Sequence, residues 1–354
     1  MPLLFSNLSP LRTRFRSYPD VFRGLLQSAD QVKIATGYIS TDSIVDINKI
    51  IIENGGPRTE LCVGMHYFEG LTAVQAEALA NLNTSLQAKG LGEVHMVTTF
   101  PFHGKIVCFS KNDELIGSII GSSNLSNIID GQRQYEADFL FDDSERQREL
   151  SVFIGELIGV SSKPFESLKL KIVEPKNDLL NDQVGVYRAT QNDVFASRRN
   201  LSKLTFNIPL KGDESPKSNL NVYFGEGRRN QQGFVIPRSW YEIELIVSKS
   251  ITEIGGYPRA DSHGDSGAFD VITDDGWEFR CKVSGDYSKN FRSESDLKVL
   301  GKWIKGRLEY AGVLNPGEMV TDEVLNKYGR SNISLTKISN SSKWYLDFGV
   351  NRNA

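Results

Sequence analysis

The sequence predicts two domains in succession, an α/β sandwich and then a small β-barrel. In the first half, short apolar runs alternate with longer segments of helical periodicity, an order typical of an α/β sandwich. In the second half, short strands follow one another between turns rich in Gly, Ser and Asp, which favours a barrel. The length of 354 residues agrees with two cores, since a single core stops growing beyond about 250–300 residues.

The first half is predicted to form one mixed sheet covered by helices. Strands and helices alternate at first, and three strands then follow one another closely before a fourth strand and a final helix. Strands are predicted over residues 32–39, 60–68, 94–100, 104–110, 116–122 and 135–141, and helices over 41–54, 71–89 and 145–158.

The second half begins beyond the polar stretch EPKNDLLNDQ (174–183), which contains Pro and Asn-Asp turn signals. We therefore expect a first domain over 1–165, a linker over 166–190 and a second domain over 191–354. In the second domain, strands are predicted over 203–210, 268–273, 277–283, 333–338 and 343–349, with two short helices near 239–246 and 295–311.

Composition and charge exclude several classes of protein. The chain has 41 Lys and Arg against 44 Asp and Glu, a formal net charge of −3, so a nucleic-acid site has to be a local patch. The three cysteines, Cys62, Cys108 and Cys281, are odd in number and far apart, which favours buried thiols over a disulfide framework. Because no apolar run approaches the ~18 residues of a membrane span, we expect a cytoplasmic protein without a membrane partner.

A histidine and a lysine lie two residues apart in one predicted strand. Alternate residues of a strand leave the same face, so the side chains of His103 and Lys105 are expected about 6–7 Å apart along the chain, at ~3.3 Å per residue. The pair puts a base or nucleophile beside a cation. Such pairs also arise by chance, so a plain position on a surface strand explains this one at least as well when it stands alone.

Three further residues give the pair a chemical context. Ser122 and Asn124 follow the next predicted strand in a Gly-Ser-Ser-Asn segment, and Glu136 opens the strand after that. Lys105 offers a point charge to a phosphodiester, and Asn124 and the hydroxyl groups offer hydrogen bonds to its non-bridging oxygens. Glu136 can fix the tautomer of a histidine whose other nitrogen attacks phosphorus. Taken singly, the Gly-Ser-Ser-Asn segment is as consistent with an ordinary turn as with a site, and Glu136 with a solvated strand end. Because the His-Lys pair, this segment and Glu136 occur together in this order, they favour a phosphodiester site.

The arrangement resembles the phospholipase D superfamily, whose signature is His-x-Lys followed by an acidic residue and then Gly-Ser/Thr-x-Asn. The residues that match are His103, Lys105, Gly121, Ser122 and Asn124. Where the family usually has Asp, five residues after the lysine, this chain has Ser110. Resemblance to the nuclease branch implies that Glu136 fills the assisting role instead.

The number of His-x-Lys motifs in the chain indicates how many copies form the active site. The superfamily active site has two such motifs facing each other, and this chain has one, because no lysine stands two residues after His66, His95 or His263. The resemblance therefore implies a homodimer through the N-terminal domain. His103 of one subunit would form a covalent phosphohistidine, and His103 of the other would protonate the leaving oxygen, with no metal or other cofactor.

A second set of polar residues lies in a glycine-flanked loop of the second half. Arginine pairs bidentately with guanine, and asparagine or glutamine with adenine, so these residue types suit base reading. An ordinary polar surface loop is the alternative interpretation of the same composition. The loop residues with base-reading side chains are Arg228, Arg229, Asn230, Gln231 and Gln232.

Neighbouring segments resemble the plant B-three (B3) DNA-binding pseudobarrel. The matching steps are Val235-Ile236-Pro237-Arg238, Gly276-Trp277-Glu278-Phe279-Arg280, Trp303 and the return 314–320. That family grips the major groove with two arms, which the resemblance puts at residues 225–233 and 285–293. The candidate DNA-binding residues of the second arm are Asp286, Tyr287, Ser288, Lys289, Asn290 and Arg292.

The tryptophans of the second half are predicted to belong to its core rather than to stack on bases. Trp277, Trp303 and Trp344 each lie within an alternating or helical apolar pattern. Tyr287, in the second arm, is the exception.

A phospholipase-D-like nuclease followed by a B3-like domain is the layout of the restriction endonucleases of the BfiI and NgoFVII type, and the chain is identified as a member, closest to the NgoFVII branch. The resemblance implies a sequence-specific, type II-like endonuclease acting on double-stranded DNA. Two other functions stay open: a DNA-binding module whose nuclease-like half only dimerises, and a phosphodiesterase of the same superfamily acting on lipid or RNA. As an endonuclease, the protein either works alone or needs a helicase-like ATPase subunit.

Overall fold

The chain divides into two units, Met1–Pro175 and Lys176–Ala354. The computed structural model describes residues 2–7, 11–53, 55–126, 135–173, 180–181, 183–229, 235–260 and 267–350. Each unit is built on its own main sheet, so each is described separately.

Unit 1 is a mixed sheet with helices, as the apolar pattern predicts. Its strands are β1 (Leu3–Phe5), β2 (Arg16–Ser17), β3 (Gln31–Thr36), β4 (Arg58–Val63), β5 (Gly92–Val97), β6 (Lys105–Lys111), β7 (Glu114–Gly121), β8 (Ala137–Phe141) and β9 (Ser162–Pro164). Its helices are α1 (Tyr18–Ser28), α2 (Thr41–Glu53), α3 (His66–Glu69), α4 (Ala73–Ala88) and α5 (Ser144–Ser161). The nine strands run in the order β2-β1-β8-β7-β6-β3-β4-β5-β9.

The central strands of this sheet are buried over their second halves, where most residues are apolar. Ile34 of β3, Leu61 of β4 and Val94 of β5 are at most 1% exposed, and these three strands are mutually parallel. Parallel strands covered on both faces have this continuous apolar pattern. The pattern therefore finds the central strands.

Strand direction brings four segments to one edge of the sheet. β6 is antiparallel to β3, with Lys105 opposite Thr36, and β7 is antiparallel to β6. β8 is antiparallel to β7, with Asp138 opposite Gly121. The ends of β3 and β7 and the starts of β6 and β8 therefore meet. This is the polar edge, formed by residues 37–38, 103–105, 122–124 and 136.

The strand predicted over residues 60–68 ends at Val63 because the chain leading into β6 crosses directly beyond it. A Cβ on Gly64 would lie 2.0 Å from the carbonyl oxygen of Phe102, so only glycine allows this close approach. Residues His66–Glu69 then form α3 instead of continuing the strand.

Unit 2 is a curled sheet consistent with the predicted pseudobarrel. Its strands are β10 (Tyr187–Arg188), β11 (Leu201–Pro209), β12 (Arg228–Arg229), β13 (Val235–Ile236), β14 (Leu245–Ile246), β15 (Ala268–Thr273), β16 (Trp277–Ser284), β17 (Asn290–Ser293), β18 (Asn332–Ile338) and β19 (Trp344–Asp347). Its helices are α6 (Gln191–Arg199), α7 (Lys249–Thr252), α8 (Lys298–Tyr310) and α9 (Asp322–Tyr328). The main sheet runs β11-β18-β19-β15-β16-β17-β14, with β10 added beside β16, and β12 pairs with β13 in a separate ribbon.

The helix predicted near residues 239–246 is wrong. This segment contains turns and the strand β14. Ile243, Leu245 and Val247 are buried while Ile246 is exposed, which is the period of a strand rather than of a helix. The second predicted helix, near 295–311, corresponds to α8, whereas α6, α7 and α9 are not predicted.

A buried polar network fixes the segment that follows the first arm. The Glu309 carboxylate of α8 accepts hydrogen bonds from the Trp240 indole at 2.8 Å and from the Tyr241 hydroxyl at 2.7 Å. Burial raises the pKa of Glu309 to about 7, against the opposing effect of these hydrogen bonds. The Lys305 ammonium, also buried, donates to the Trp240 carbonyl oxygen at 2.6 Å. The base of the first arm is therefore anchored on α8.

The predicted core residues of unit 2 are confirmed. Trp277, Trp303 and Trp344 are at most 6% exposed. The predicted buried thiols are also confirmed, because the cysteines of both units are buried and free.

Candidate active site and DNA-binding arms

His103 and Lys105 lie together on the polar edge. The Lys105 ammonium nitrogen is 3.1 Å from Nδ1 and 3.3 Å from Nε2 of the His103 imidazole, and it donates to the His103 carbonyl oxygen at 2.7 Å. His103 is exposed and Lys105 is half-buried. Burial lowers the pKa of the Lys105 ammonium, and the Glu136 carboxylate opposes this effect. An imidazole ring and an ammonium group thus lie together at one point of the edge.

Asn124 is held at the same edge by the segment that follows β3. Its Oδ1 accepts a hydrogen bond from the backbone N–H of Tyr38 at 3.2 Å. The next residue, Leu125, donates its N–H to the Thr36 hydroxyl at 3.2 Å. Because Thr36 is opposite Lys105 in the sheet, these contacts fix Asn124 close to the strand that carries the lysine.

Ser122 and Glu136 form a pair beside them. The Ser122 hydroxyl donates to the Glu136 carboxylate and accepts from the Ala137 backbone N–H at 3.1 Å. The Glu136 N–H donates to the Ser6 hydroxyl at 2.7 Å. Among the described residues, no hydrogen bond joins Glu136 to His103; in a single chain Glu136 contacts Ser122, and its charge affects Lys105.

A steric constraint requires glycine at position 121, the first residue of the Gly-Ser-Ser-Asn segment. A Cβ on Gly121 would lie 2.2 Å from a carboxylate oxygen of Asp138. That carboxylate accepts from the Ser123 N–H at 3.0 Å and from the Ser123 hydroxyl at 2.5 Å. Burial raises the pKa of Asp138, and the hydrogen bonds from Ser123 oppose the rise. Asp138 therefore shapes the turn that presents Ser122 and Asn124.

The first arm is described only in part. Arg228 forms an ion pair with Glu242, a carboxylate that is 4% exposed, and Arg238 lies 2.8 Å from the same carboxylate. Arg229 is exposed. Asn230, Gln231 and Gln232 lie outside the described residues. Within the described part both arginines are thus exposed, and Arg228 is in addition paired with a buried carboxylate.

The second arm is the connection between β16 and β17. Tyr287 is 59% exposed, has a positive φ of 58°, and lies under the Lys249 ammonium, 4.3 Å from its ring centroid. Ser288 is buried, and its hydroxyl accepts the Ala260 N–H at 3.1 Å. The arm therefore presents an aromatic ring outward, and Ser288 ties the arm to the backbone of Ala260.

The remaining residues of this arm differ in exposure. Asp286 is exposed, and Lys289, Asn290 and Arg292 are half-buried. The Asn290 amide donates to Glu244 at 3.4 Å. Arg292 is directly opposite Lys282 in the β16–β17 ladder, which concentrates positive charge on the outer face of the hairpin.

Two family models match the chain, in order and without overlap. Residues 19–164 match the NgoFVII restriction endonuclease N-terminal PLD domain. Residues 196–339 match the NgoFVII C-terminal B3-like DNA-binding domain. The chain belongs to the NgoFVII restriction endonuclease family. It is a sequence-specific DNA nuclease, and thus a phosphodiesterase, of the phospholipase D type with a B3-like DNA-binding domain.

Solved structures of low identity also match part of this NgoFVII-family chain. Nuc from Salmonella typhimurium, a phospholipase D family member, is 12% identical, with 46% of this chain and 95% of that one covered and a TM-score of 0.33. NucT from Helicobacter pylori is 15% identical, with 41% and 88% covered and a TM-score of 0.31. Phosphatidylserine synthase from Haemophilus influenzae is 16% identical, with 47% and 41% covered and a TM-score of 0.33. No curated protein sequence matches the chain.

Sequence reasoning missed several residues that build the two candidate sites of this NgoFVII-family nuclease. Tyr38, Glu69 and Asp138 support the polar edge, and Glu242 holds Arg228. Asp138 carried a detectable signal, since it is a charged residue inside the apolar run YEADFLF. Tyr38 and Glu69 carried none, because their contacts join segments that are distant in the sequence.

Two features are absent from the described residues of this NgoFVII-family chain. Within those ranges, no three or more His, Cys, Asp or Glu side chains are grouped so as to hold a metal ion. In the same part of the chain, no helix has the length and apolar character needed to cross a membrane.

Proposed function

We propose that this nuclease cleaves DNA in two metal-independent steps through His103, at a site that two copies of the chain assemble. The observation that carries the proposal is the Lys105 ammonium 3.1 Å from the His103 imidazole, at the edge that also holds Asn124. Cleavage of a phosphodiester needs a nucleophile, a neutralising charge and donors for the non-bridging oxygens. These three side chains supply them.

The two steps use one histidine from each copy. First, a ring nitrogen of His103 attacks phosphorus, a P–N bond forms, and the P–O bond to the leaving strand breaks as the second copy's His103 imidazolium protonates the leaving oxygen. Next, that now neutral imidazole takes a proton from water while the water oxygen attacks phosphorus and the P–N bond breaks. Both histidines return to their starting states. Because each chain has one His-x-Lys motif, the scheme requires a homodimer.

The neighbouring side chains have supporting roles. Lys105 and the Asn124 amide stabilise the negative charge that develops on the non-bridging oxygens. Glu136 favours the charged form of Lys105, and the Ser122 hydroxyl fixes the position of that carboxylate. Site recognition would lie in the second unit, with Arg229 and Tyr287 presented outward and Ser288 acting as an internal support.

Replacing Arg229 by alanine is expected to weaken binding to the recognition sequence by ~1–3 kcal/mol, roughly five- to 150-fold, if the side chain reads a guanine. Arg228→Ala is expected to lower thermal stability as well, because it removes one of the two arginines paired with the buried Glu242. The measurement is the dissociation constant on duplexes that wild-type protein selects from a random library, compared with unselected duplexes at several salt concentrations.

Arg199→Ala is the matched control for the arm variants, since Arg199 is also exposed in unit 2 but ends α6. We expect it to leave selected binding unchanged. An equal loss for Arg229→Ala on selected and unselected DNA, with a shallower salt dependence, would make Arg229 a phosphate contact and contradict base reading.

The experiment that tests the proposed function is incubation of purified protein with a long DNA of known sequence in EDTA. Discrete fragments are expected in EDTA, and labelled DNA should become covalently attached to the protein during turnover. Fragments that form only when Mg²⁺ is restored would refute the metal-independent steps. Binding without cutting, and without rescue by ATP and a helicase-like ATPase partner, would identify a binding module instead.

A further inference from the structure

The ring of Tyr38 lies between two histidines at the polar edge. Its centroid is 5.4 Å from that of His103 and 5.5 Å from that of His66, with interplanar angles of 78° and 88°. These are edge-to-face contacts, the arrangement that aromatic rings prefer. Tyr38 therefore restricts the plane in which the exposed imidazole of His103 can lie.

Glycine at position 37 allows the backbone before Tyr38 to approach His103 closely. A Cβ there would lie 3.1 Å from Cα and 3.2 Å from Cδ2 of His103, tighter than ordinary van der Waals contact. The backbone that carries Tyr38 thus runs directly against the backbone of His103.

The hydroxyl group of Tyr38 is anchored at its far end. It donates to both carboxylate oxygens of Glu69, at 2.9 and 3.0 Å. Burial and the Glu69 carboxylate raise the pKa of the Tyr38 phenol, so it stays a hydrogen-bond donor at neutral pH. The ring is therefore fixed at its hydroxyl end as well as at its backbone.

His66 forms a rigid support on the other side of the ring. Its Nδ1 donates to the Gly70 carbonyl oxygen at 2.9 Å, and its Nε2 accepts the Ile39 N–H at 3.3 Å. Both ring nitrogens are therefore occupied, and burial lowers the pKa of His66. This histidine is a neutral, immobile surface for Tyr38 and not a second nucleophile.

The backbone of Tyr38 also orients the amide of Asn124. Its N–H donates to Oδ1 of Asn124, which assigns the oxygen of that amide and leaves the NH₂ group as the donor available to a phosphate. One residue thus contacts both the ring of His103 and the amide of Asn124.

We infer that Tyr38 is a positioning residue for phosphodiester cleavage: its ring, anchored by Glu69 and backed by His66, sets the attack direction of the His103 imidazole. The inference rests on the proposed function, in which His103 attacks phosphorus. Misplacement of a reacting group by about 1 Å can cost about a hundredfold in rate. The ring of Tyr38 prevents such misplacement without contacting the substrate.

The test measures kcat and KM of the full chain with bis(4-nitrophenyl) phosphate, a phosphodiester that needs no base recognition. Tyr38→Ala is expected to lower kcat about a hundredfold while KM changes by less than about threefold. Tyr38→Phe keeps the ring and is expected to retain kcat within about fivefold of wild type, with an unchanged pH profile. Glu69→Gln keeps a hydrogen-bond acceptor for the hydroxyl and is expected to resemble Tyr38→Phe.

Tyr67→Ala is the matched control, because Tyr67 is half-buried in the same unit and its ring contact in the described part of the chain is with Phe68. We expect it to keep wild-type kcat. If Tyr38→Ala does not fold, Tyr38→Leu replaces it with the same expected loss, since it restores bulk without a flat ring.

Two results would overturn the inference while leaving the proposed function intact. One is a folded Tyr38→Ala or Tyr38→Leu enzyme with kcat within about threefold of wild type. The other is a Tyr38→Phe enzyme that loses as much kcat as the alanine variant and has an altered pH profile, which would make the phenol a proton donor. Hydrolysis at the wild-type rate by His103→Ala would instead remove the proposed function itself.

Discussion

His103→Ala is expected to abolish DNA cleavage, by at least about 10⁴-fold, and to leave DNA affinity near wild type. The imidazole is nucleophile in one copy and acid and then base in the other, so the substitution removes both halves of the chemistry. The DNA-binding domain belongs to the other unit, so binding is expected to survive. The measurement is single-turnover cleavage with excess enzyme, beside a gel-shift assay on the same DNA.

His95→Gln is the control for this variant. His95 lies on β5 of the same sheet, with Nε2 3.2 Å from Glu93, and a residue there is expected to matter for packing only. Cleavage by His103→Ala within about tenfold of wild type would rule out the phosphohistidine route.

Mixing the two proteins tests the shared site. A dimer with one wild-type and one His103→Ala chain has only one His103 imidazole and should be inactive. Excess His103→Ala protein should therefore lower the cleavage rate of the wild-type protein by more than dilution with buffer does. Activity that simply follows the amount of wild-type chain would show that one copy suffices.

The sequence predicts those parts of the fold whose signal is local. β3, β6, β7, β15 and β16 are found because each is an uninterrupted or alternating apolar run. The short strands β1, β2 and β9 near the two edges of the sheet are missed, since two or three residues carry no period and form strands only through other segments. The segment 239–246 is misassigned for a related reason: the pairing of β14 with β17 is a long-range contact.

The same distinction applies to the candidate site. The spacing of His103 and Lys105 is local, so their common position is predictable, but the approach of the ammonium to the ring depends on side-chain torsions. The hydrogen bond from Tyr38 to Asn124 joins residues 86 positions apart, and no pattern in the sequence predicts it. Arg228 is a base-reading type of residue, yet the buried Glu242 holds it.

Lys105→Gln is expected to lower kcat by about 10²–10³-fold, because it removes a positive charge aimed at the developing phosphorane. Lys105→Arg keeps a charge and should retain part of the rate. Lys111→Gln is the control, since Lys111 is exposed at the opposite end of β6, and it is expected to cleave at the wild-type rate. Equal rates for Lys105→Gln and Lys111→Gln would remove Lys105 from the mechanism.

The pH dependence of cleavage by these variants separates the effect of the charge at position 105 from the effect of the shape of that side chain. Burial lowers the pKa of the Lys105 ammonium, so wild-type cleavage should fall as the pH rises through a value below that of an ordinary lysine. An arginine keeps its charge throughout this range, and Lys105→Arg should therefore lose this alkaline decrease. Glu136→Gln removes the carboxylate that favours the charged lysine and should move the decrease to lower pH. If Lys105→Arg keeps the alkaline decrease unchanged, then another group causes it, and the charge on Lys105 does not limit the reaction.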